Sequence, residues 1–451
     1  MIQERNIFQK IISGTDIGLL ISMFVLVIIG VAAIYSASYN YGVSTKYVTV
    51  QLTAFGLGLV CMFILANFNY QHYKQLDRTV YALSIILLIS VLIFGVTVNG
   101  AKRWINFGIA SFQPVEIAKL MYILVIASFL DKNWKNMRKP SVLVFTFAIL
   151  MGHFILIMLQ PAFSSTLSYF LVTLVLLYIA GAEPFYLLCI AIFCGLSVGI
   201  PLLIEYLKLQ PWVMEAGSVT GYYLNALQNN LFYILYAAIA VVALLFIVWW
   251  FLWKLRTRIS IIYPILLGCA ILFGCAASMS VEKSLKDYQR RRMVVFLYPE
   301  TDSRGSGYNV IQSKIAMGSG KFSGKGFLRG TQTQLGFLPE QHTDFIFSVI
   351  GEEGGWVVSQ LTILFYFIFV WRALVIARDA RDRYGSLVAT GIAAMFTFYA
   401  VINISMVMGM MPVAGVPLLL LSYGGSSMIS SLCAIGILSS IHIRRHTYNS
   451  I

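Results

Sequence analysis

Twelve times along this chain, an apolar run long enough to cross a bilayer is followed by a polar break. About 18 or more apolar residues, wound as a helix, span the hydrocarbon core of a membrane. Inside lipid, every backbone N–H and C=O must find its partner within the protein, so runs of this length have to be helices. They lie at about 16–37, 47–66, 79–97, 114–130, 141–159, 164–181, 185–204, 230–252, 260–279, 345–371, 386–409 and 416–441, numbered spans 1 to 12. The expected fold class is an all-α polytopic membrane protein with about 12 transmembrane helices. A soluble domain carries roughly 25% charged residues, whereas this chain has 11%.

The few charges fix the expected orientation. A net charge of +14 invites a nucleic-acid partner, but the basic residues cluster in short loops between spans, which is the positive-inside pattern of a membrane protein. No nucleic acid is expected. Lys74 and Arg78, the run Lys132 to Lys139, the group Lys254, Arg256 and Arg258, and the group Arg372 to Arg383 all fall on one side, taken as the cytoplasm. Both termini fall there too. The first run is too long for a signal-peptide core and reads as a retained helix. Three regions follow: 1–280 with spans 1–9, a large extracytoplasmic loop at 281–344, and 345–451 with spans 10–12. The large loop is itself basic, which suits either anchoring to anionic lipid or an anionic ligand. The six cysteines lie in apolar runs without metal spacing and read as small core residues. No internal repeat suggests a transporter of inverted halves.

Chemistry has few places to live. Leu338 to Phe347 closes the polar segment and opens span 10, with the lone acid Asp344 at the boundary. Asp344 or Thr343 could simply cap the helix. Alternatively, a shielded Asp344 could act as a general base, tuned by Glu340, His342, Glu352 and Glu353. Glu116 and Lys119 share one face of span 4. They form either a salt bridge that makes insertion tolerable or part of a polar cavity, with Lys102, Arg103 and Trp104 just outside the same span. Arg290, Arg291 and Arg292 suit phosphate contacts or are a solvated face. The glycines between Gly318 and Gly330 mark a flexible, turn-rich loop. Ser422 to Ser427, read as lying within span 12, serve helix packing or line a polar groove. His153 reads as a packed polar residue. No His, Cys and Asp grouping has metal-ligand spacing.

Taken together, these blocks resemble the SEDS family (shape, elongation, division and sporulation). The resemblance rests on Leu338-Pro339-Glu340-Gln341-His342-Thr343-Asp344-Phe345-Ile346-Phe347 followed by Gly351-Glu352-Glu353. It also rests on Lys102-Arg103-Trp104, on Gln113-Pro114 with Glu116 and Lys119, on Tyr288-Gln289-Arg290, on Gly307 through Gln312 and Ser313, and on Gly409 to Pro417 with Ser422 to Ser427. The forms around Thr331 and Met411 look more like the elongation branch than the division branch. The resemblance implies a peptidoglycan glycosyltransferase that polymerises lipid II on the outer face of the cytoplasmic (inner) membrane during cell elongation, beside a class B penicillin-binding protein. It implies Asp344 as the catalytic base. It implies substrate-binding roles for Lys119, Glu116, Lys102, Arg103, Trp104, Arg290, Arg291, Gln312, Lys314, His342, Glu340 and Ser426. No cofactor is certain: a divalent cation (Mg or Mn) could assist, yet no acidic cluster demands one. A lipid II flippase and a noncatalytic scaffold for the penicillin-binding protein are the alternatives. Two departures stand out. Ala162 replaces an acid usual in the family, and three spans occupy 185–279 where a ten-span family has one.

Overall fold

The structure is a computed structural model and describes residues 15–98, 101–106, 111–160, 163–208, 210, 221, 232–255, 260–284, 295–296 and 306–445. The long helices follow the apolar runs: α1 (Ile17–Ser38), α2 (Ser44–Asn67), α3 (Asp77–Phe94), α4 (Pro114–Lys132), α5 (Pro140–Leu159), α6 (Phe163–Ala180), α7 (Pro184–Lys208), α8 (Phe232–Lys254) and α9 (Ile262–Ser284). A shorter helix, α10 (Ser306–Ser319), precedes α11 (Ile346–Arg378), α12 (Arg383–Val407) and α13 (Gly425–Ile443). Ten of the described helices are long and apolar enough to cross a membrane on those grounds alone. The other two expected spans are α4, which carries Glu116 and Lys119, and the shorter α6. The chain is therefore a polytopic all-α membrane protein.

The helices start where their sequences let them. Asp16 caps α1 by accepting the Leu19 N–H at 3.0 Å. Proline opens α4 and α5, at a position where its missing N–H is not needed. α4 is buried almost all round, and 78% of the apolar window is buried in both α12 and α13. These helices form the interior, as an all-round apolar pattern requires. α13 lies so close to α2 that a Cβ on Gly436 would meet the Met62 backbone at 2.6 Å, so contact here depends on small residues.

The chain divides into two compact units, one of residues 1–181 and 309–451 and one of residues 182–308. The second holds α7, α8 and α9 around Ile204, Ile234, Ala238 and Cys275. These are the three spans that stand where the resemblance implies one.

Four features differ from the sequence reading. The apolar run of span 3 ends as strand, because β1 (Val96–Val98) pairs antiparallel with β2 (Ala101–Asn106), which pairs with β3 (Ser111–Phe112). Val96 and Val98 are β-branched and favour strand over helix. Span 12, expected from about 416, starts late: Pro417 interrupts the first turn of the run, and the helix begins only at Gly425. α11 is kinked at Gly355, at φ 63° and ψ −162°. Finally, the glycine-rich stretch is a fixed loop. Lys325 N donates to Glu352 O and Gly326 N to Glu353 O, both at 3.0 Å. On the far side of the kink, Trp356 N donates to Lys321 O at 2.9 Å and Val357 N to Phe322 O at 3.1 Å. The loop backbone thus supplies the partners that the kink removes. Only glycine fits at Gly324, because a Cβ there would collide with the Glu353 carbonyl.

Candidate active site

Asp344 lies in the turn before α11 and is half-buried. It is not the N-cap residue of that helix. The N-cap residue is Phe345, with no side-chain cap bond, and the Thr343 hydroxyl instead donates to Glu340 O at 3.1 Å. The turn is held by its carbonyls. Tyr423 N donates to His342 O at 2.9 Å, Ser422 Oγ to Thr343 O at 2.7 Å, and Asn403 Nδ2 to Asp344 O at 2.7 Å. Asn403 also donates to Val416 O at 2.6 Å. Gln51 Nε2 in turn donates to Ser422 O at 3.1 Å, and the Gly424 N–H donates to Gln51 Oε1 at 3.1 Å. Three successive carbonyls are thus fixed by residues from α12 and from the irregular segment before α13. Non-helical backbone, its carbonyls bonded within the protein, thus surrounds Asp344. A Cβ at Gly415 (φ +66°) would lie 3.4 Å from Asp344 Oδ2, so the carboxylate faces this segment.

His342 is stacked on Tyr47, with ring centroids 4.8 Å apart, and is tilted against Tyr423 at 5.6 Å. Burial pushes its imidazole below the usual histidine range, against the opposing pull of Glu340. Glu340 is exposed, at φ 53°. Gln341 is buried and donates to Ala37 O at 2.7 Å and Thr333 O at 3.1 Å, tying the motif to α1.

Glu352 and Glu353 do not serve Asp344; they hold the glycine-rich loop. Glu352 is fully buried and accepts from Lys325 Nζ at 2.8 Å, Gln332 N at 2.8 Å, and Thr333 N at 2.9 Å and Oγ1 at 2.8 Å. Glu353 accepts from Ser36 Oγ at 2.6 Å and Gln334 Nε2 at 3.2 Å.

Glu116 and Lys119 form a buried ion pair at 3.1 Å, and the Lys119 ammonium also contacts the Tyr399 hydroxyl and lies 4.2 Å from that ring's centroid. Tyr399 and Asn403 stand one turn apart on α12. The pair therefore reaches, through one helix face, the residue that anchors Asp344.

The other expected ligands are placed as follows. Lys102 Nζ donates to Leu92 O at 2.6 Å, closing the end of α3, and Arg103 Nε donates to Gln160 O at 3.4 Å. Trp104 is half-buried on β2, opposite Val96. Ser426 accepts from Gln113 N at 2.9 Å and is buried. Gln312 is half-buried on α10. Lys314 is exposed and crosses Gly409, which has no Cβ to obstruct it. Arg290, Arg291, Arg292 and Ala162 lie outside the described residues. His153 is packed as expected, fully buried with Nε2 2.9 Å from Ser84 Oγ. Among the described residues, no three His, Cys, Asp or Glu side chains could hold a metal ion. Among the described residues, Glu352 and Glu353 are committed to the loop and so are not free to join Asp344 in holding a divalent cation.

Sequence reasoning missed Asn403, Tyr399 and Gln51. The available signal was a polar side chain inside an apolar span, which is expensive in lipid and so tends to mark a function or a bond.

The family profile for the FtsW, RodA and SpoVE cell cycle proteins matches residues 17–223 and 216–447. The chain belongs to this family. Among FtsW/RodA/SpoVE relatives, the peptidoglycan glycosyltransferase RodA of Treponema pallidum is 34% identical over 453 residues, covering 96% of this chain and 99% of that protein. The peptidoglycan glycosyltransferase MrdB of Escherichia coli K12 is 32% identical over 435 residues, covering 95% and 94%. A solved structure concerned with the coordination of polymerization and crosslinking by a peptidoglycan synthase complex matches with TM-score 0.66 at 25% identity, over 96% of this chain and 99% of that one. The rod shape determining protein RodA of Thermus thermophilus, in mutant form, matches in fold with TM-score 0.59 at 22% identity, over 96% and 99%.

Proposed function

We propose that this chain polymerises lipid II into glycan strands at the outer face of the cytoplasmic membrane, with Asp344 as general base. The observation that carries the assignment to Asp344 is its anchorage: a half-buried carboxylate on a turn whose carbonyls are bonded by Tyr423, Ser422 and Asn403. A base is useful when it is held still and partly shielded from water. The relatives' glycosyltransferase names support the reaction class.

The GlcNAc 4-hydroxyl of the acceptor attacks the anomeric carbon of the donor's MurNAc. The new C–O bond forms as the bond to undecaprenyl pyrophosphate breaks, inverting the centre. The hydroxyl proton passes to an Asp344 oxygen. Charge growing on the pyrophosphate is met by the basic residues of the 281–344 loop and by Lys119, whose charge is shared with Glu116. Stabilising charge where it develops is commonly the largest part of such catalysis. The stretch 281–344 then carries the catalytic motif outside the membrane, with both termini inside. A class B penicillin-binding protein, which cross-links the strands, is the partner this reading requires. Elongation is favoured over division by the relatives named RodA.

The test is polymerisation of purified lipid II by the chain with its partner. Asp344→Asn should lower the rate about 10²–10⁴-fold while leaving the fold intact. Polymerisation at an unchanged rate would remove Asp344 as the base and favour a scaffold. Flipping of lipid II across vesicles without polymerisation would favour a transporter.

A further inference from the structure

We propose that a second, separate site lies at the opposite, basic end of the helix bundle and binds the phosphodiester headgroup of an anionic membrane lipid. A cavity of about 590 Å³ opens there between the α4–α5 loop, the end of α6 and the start of α12. Four cations line it: Lys135, Arg138, Lys139 and Arg383. One acid also lines it, Asp131, and its charge is met by Lys74 Nζ at 2.6 Å. The neighbouring Lys132 is bound to Asp77 at 2.5 Å and does not line the cavity. The result is strong positive charge in one concave place.

The cations are arranged as well as gathered. The Arg383 guanidinium lies 4.1 Å from the Trp134 ring centroid, and the Lys135 ammonium lies 5.5 Å from the same ring. Stacking fixes the guanidinium plane and leaves its N–H edges for a phosphate oxygen. Two helices begin at this cavity, α5 after Lys139 and α12 after Asp382, and neither has a side-chain cap bond. The dipoles of these helix starts add to the attraction for an anion.

A lipid is favoured over a soluble anion by what lies beside the charge. The lining includes Leu130 and Ile179, and Ile179 is 49% exposed next to Tyr178 at 59% on α6. Acyl chains can run down this apolar face while the phosphate stays among the cations. Trp134 suits the headgroup level, where amphipathic rings settle. The basic-loop topology puts this end at the cytoplasmic leaflet, and basic pockets between membrane helices on that side take anionic headgroups.

The test uses the purified full chain in mild detergent, with phosphatidylglycerol, cardiolipin or phosphatidylcholine added. Retention is read by native mass spectrometry and the thermal transition by intrinsic fluorescence. The two anionic lipids should be retained in preference to phosphatidylcholine and should raise the transition. Neutralising Lys135→Gln, Arg138→Gln and Lys139→Gln together should weaken retention by about fivefold per charge, roughly 10²-fold in all. Arg138→Gln and Lys139→Gln singly, both at exposed side chains, carry the same test if the triple variant fails to fold. Asp344→Asn should retain lipid as the parent does, which separates this site from catalysis. Equal retention of charged and zwitterionic lipid, or unchanged retention in the variants, would overturn the proposal. So would protection by inorganic phosphate equal to that by phosphatidylglycerol, which would indicate a soluble-anion site. Protection by a polyglutamate peptide but not by lipid would overturn it in favour of a protein partner.

Discussion

Replacing Glu352 by glutamine should release the glycine-rich loop. The side chain is fully buried and accepts four bonds of 2.9 Å or less, from Lys325 Nζ, Gln332 N, Thr333 N and Thr333 Oγ1. Glutamine has nearly the same shape but keeps only one acceptor. Its NH₂ would point at donors, so two bonds are lost whichever way the amide turns. Bonds to a charged acceptor contribute about 1.5–3 kcal/mol each, giving roughly 3–6 kcal/mol. Breaking a buried ion pair from one side, at about 3–5 kcal/mol, gives a similar figure. Lys325 is 24% exposed, so it regains water and adds little. A shift of 3–5 kcal/mol in local opening corresponds to exchange roughly 10²–10⁴-fold faster. Hydrogen exchange of the parent and Glu352→Gln in nanodiscs reads it at Lys325, Gly326, Gln332 and Thr333. The loop leads directly into the motif, and Gln341 donates to Thr333 O at 3.1 Å, so polymerisation should fall as well. Unchanged protection across residues 320–335 would show that Glu352 does not hold the loop.

Other outcomes follow from the same contacts. Asn403→Leu removes two bonds to carbonyls and should destabilise the protein by about 1–3 kcal/mol, with a lower polymerisation rate at unchanged lipid II affinity; thermal unfolding and rate measurements check both. Lys119→Met should cost about 3–5 kcal/mol by stranding Glu116, and adding Glu116→Gln should recover part of it, seen as a partial return of the thermal transition. Gly355→Ala should destabilise, since φ 63° is strained for alanine and its Cβ would strike the Gly324 backbone; an unfolding transition equal to the parent's would contradict this. Burial holds the His342 imidazole below the ordinary histidine pKa of about 6.5 in the folded protein. As pH falls below that value the unfolded chain takes up the proton first, so the stability this group contributes is complete above about 6.5 and lost below it. Plots of the thermal transition against pH should be flatter below 6.5 in His342→Gln.

The helices were legible because lipid leaves the backbone few choices. The pairing of Glu116 with Lys119 followed from their spacing on one helix face. The irregular elements were harder to read. A hydropathy pattern does not separate Val96–Val98 from the helix before it, since strand here depends on pairing with β2. Pro417 was a visible breaker at the start of span 12, but the apolar residues around it masked the signal. The glycines of the 318–330 stretch looked like freedom. Gly320 and Gly324 have no room for a Cβ because the Gly351 and Glu353 carbonyls approach them closely, and no local pattern records a contact across some thirty residues. Lys102, Arg103 and Ser426 fell within recognisable motifs, yet each bonds to backbone of its own chain.

The bond between Ser36 and Glu353 joins residues 317 apart in sequence. A ribosome adding about 5–20 residues per second needs between a quarter of a minute and a minute to make that interval. Through it, Ser36 already stands in the membrane without its carboxylate partner. Ser422 and Tyr423, which fix the turn carrying Asp344, emerge later still. Newly made chains therefore pass through a long stage in which most spans are inserted and the candidate active site is absent. Interruption of synthesis anywhere before Ser422 leaves the chain without the residues that fix the Asp344 turn.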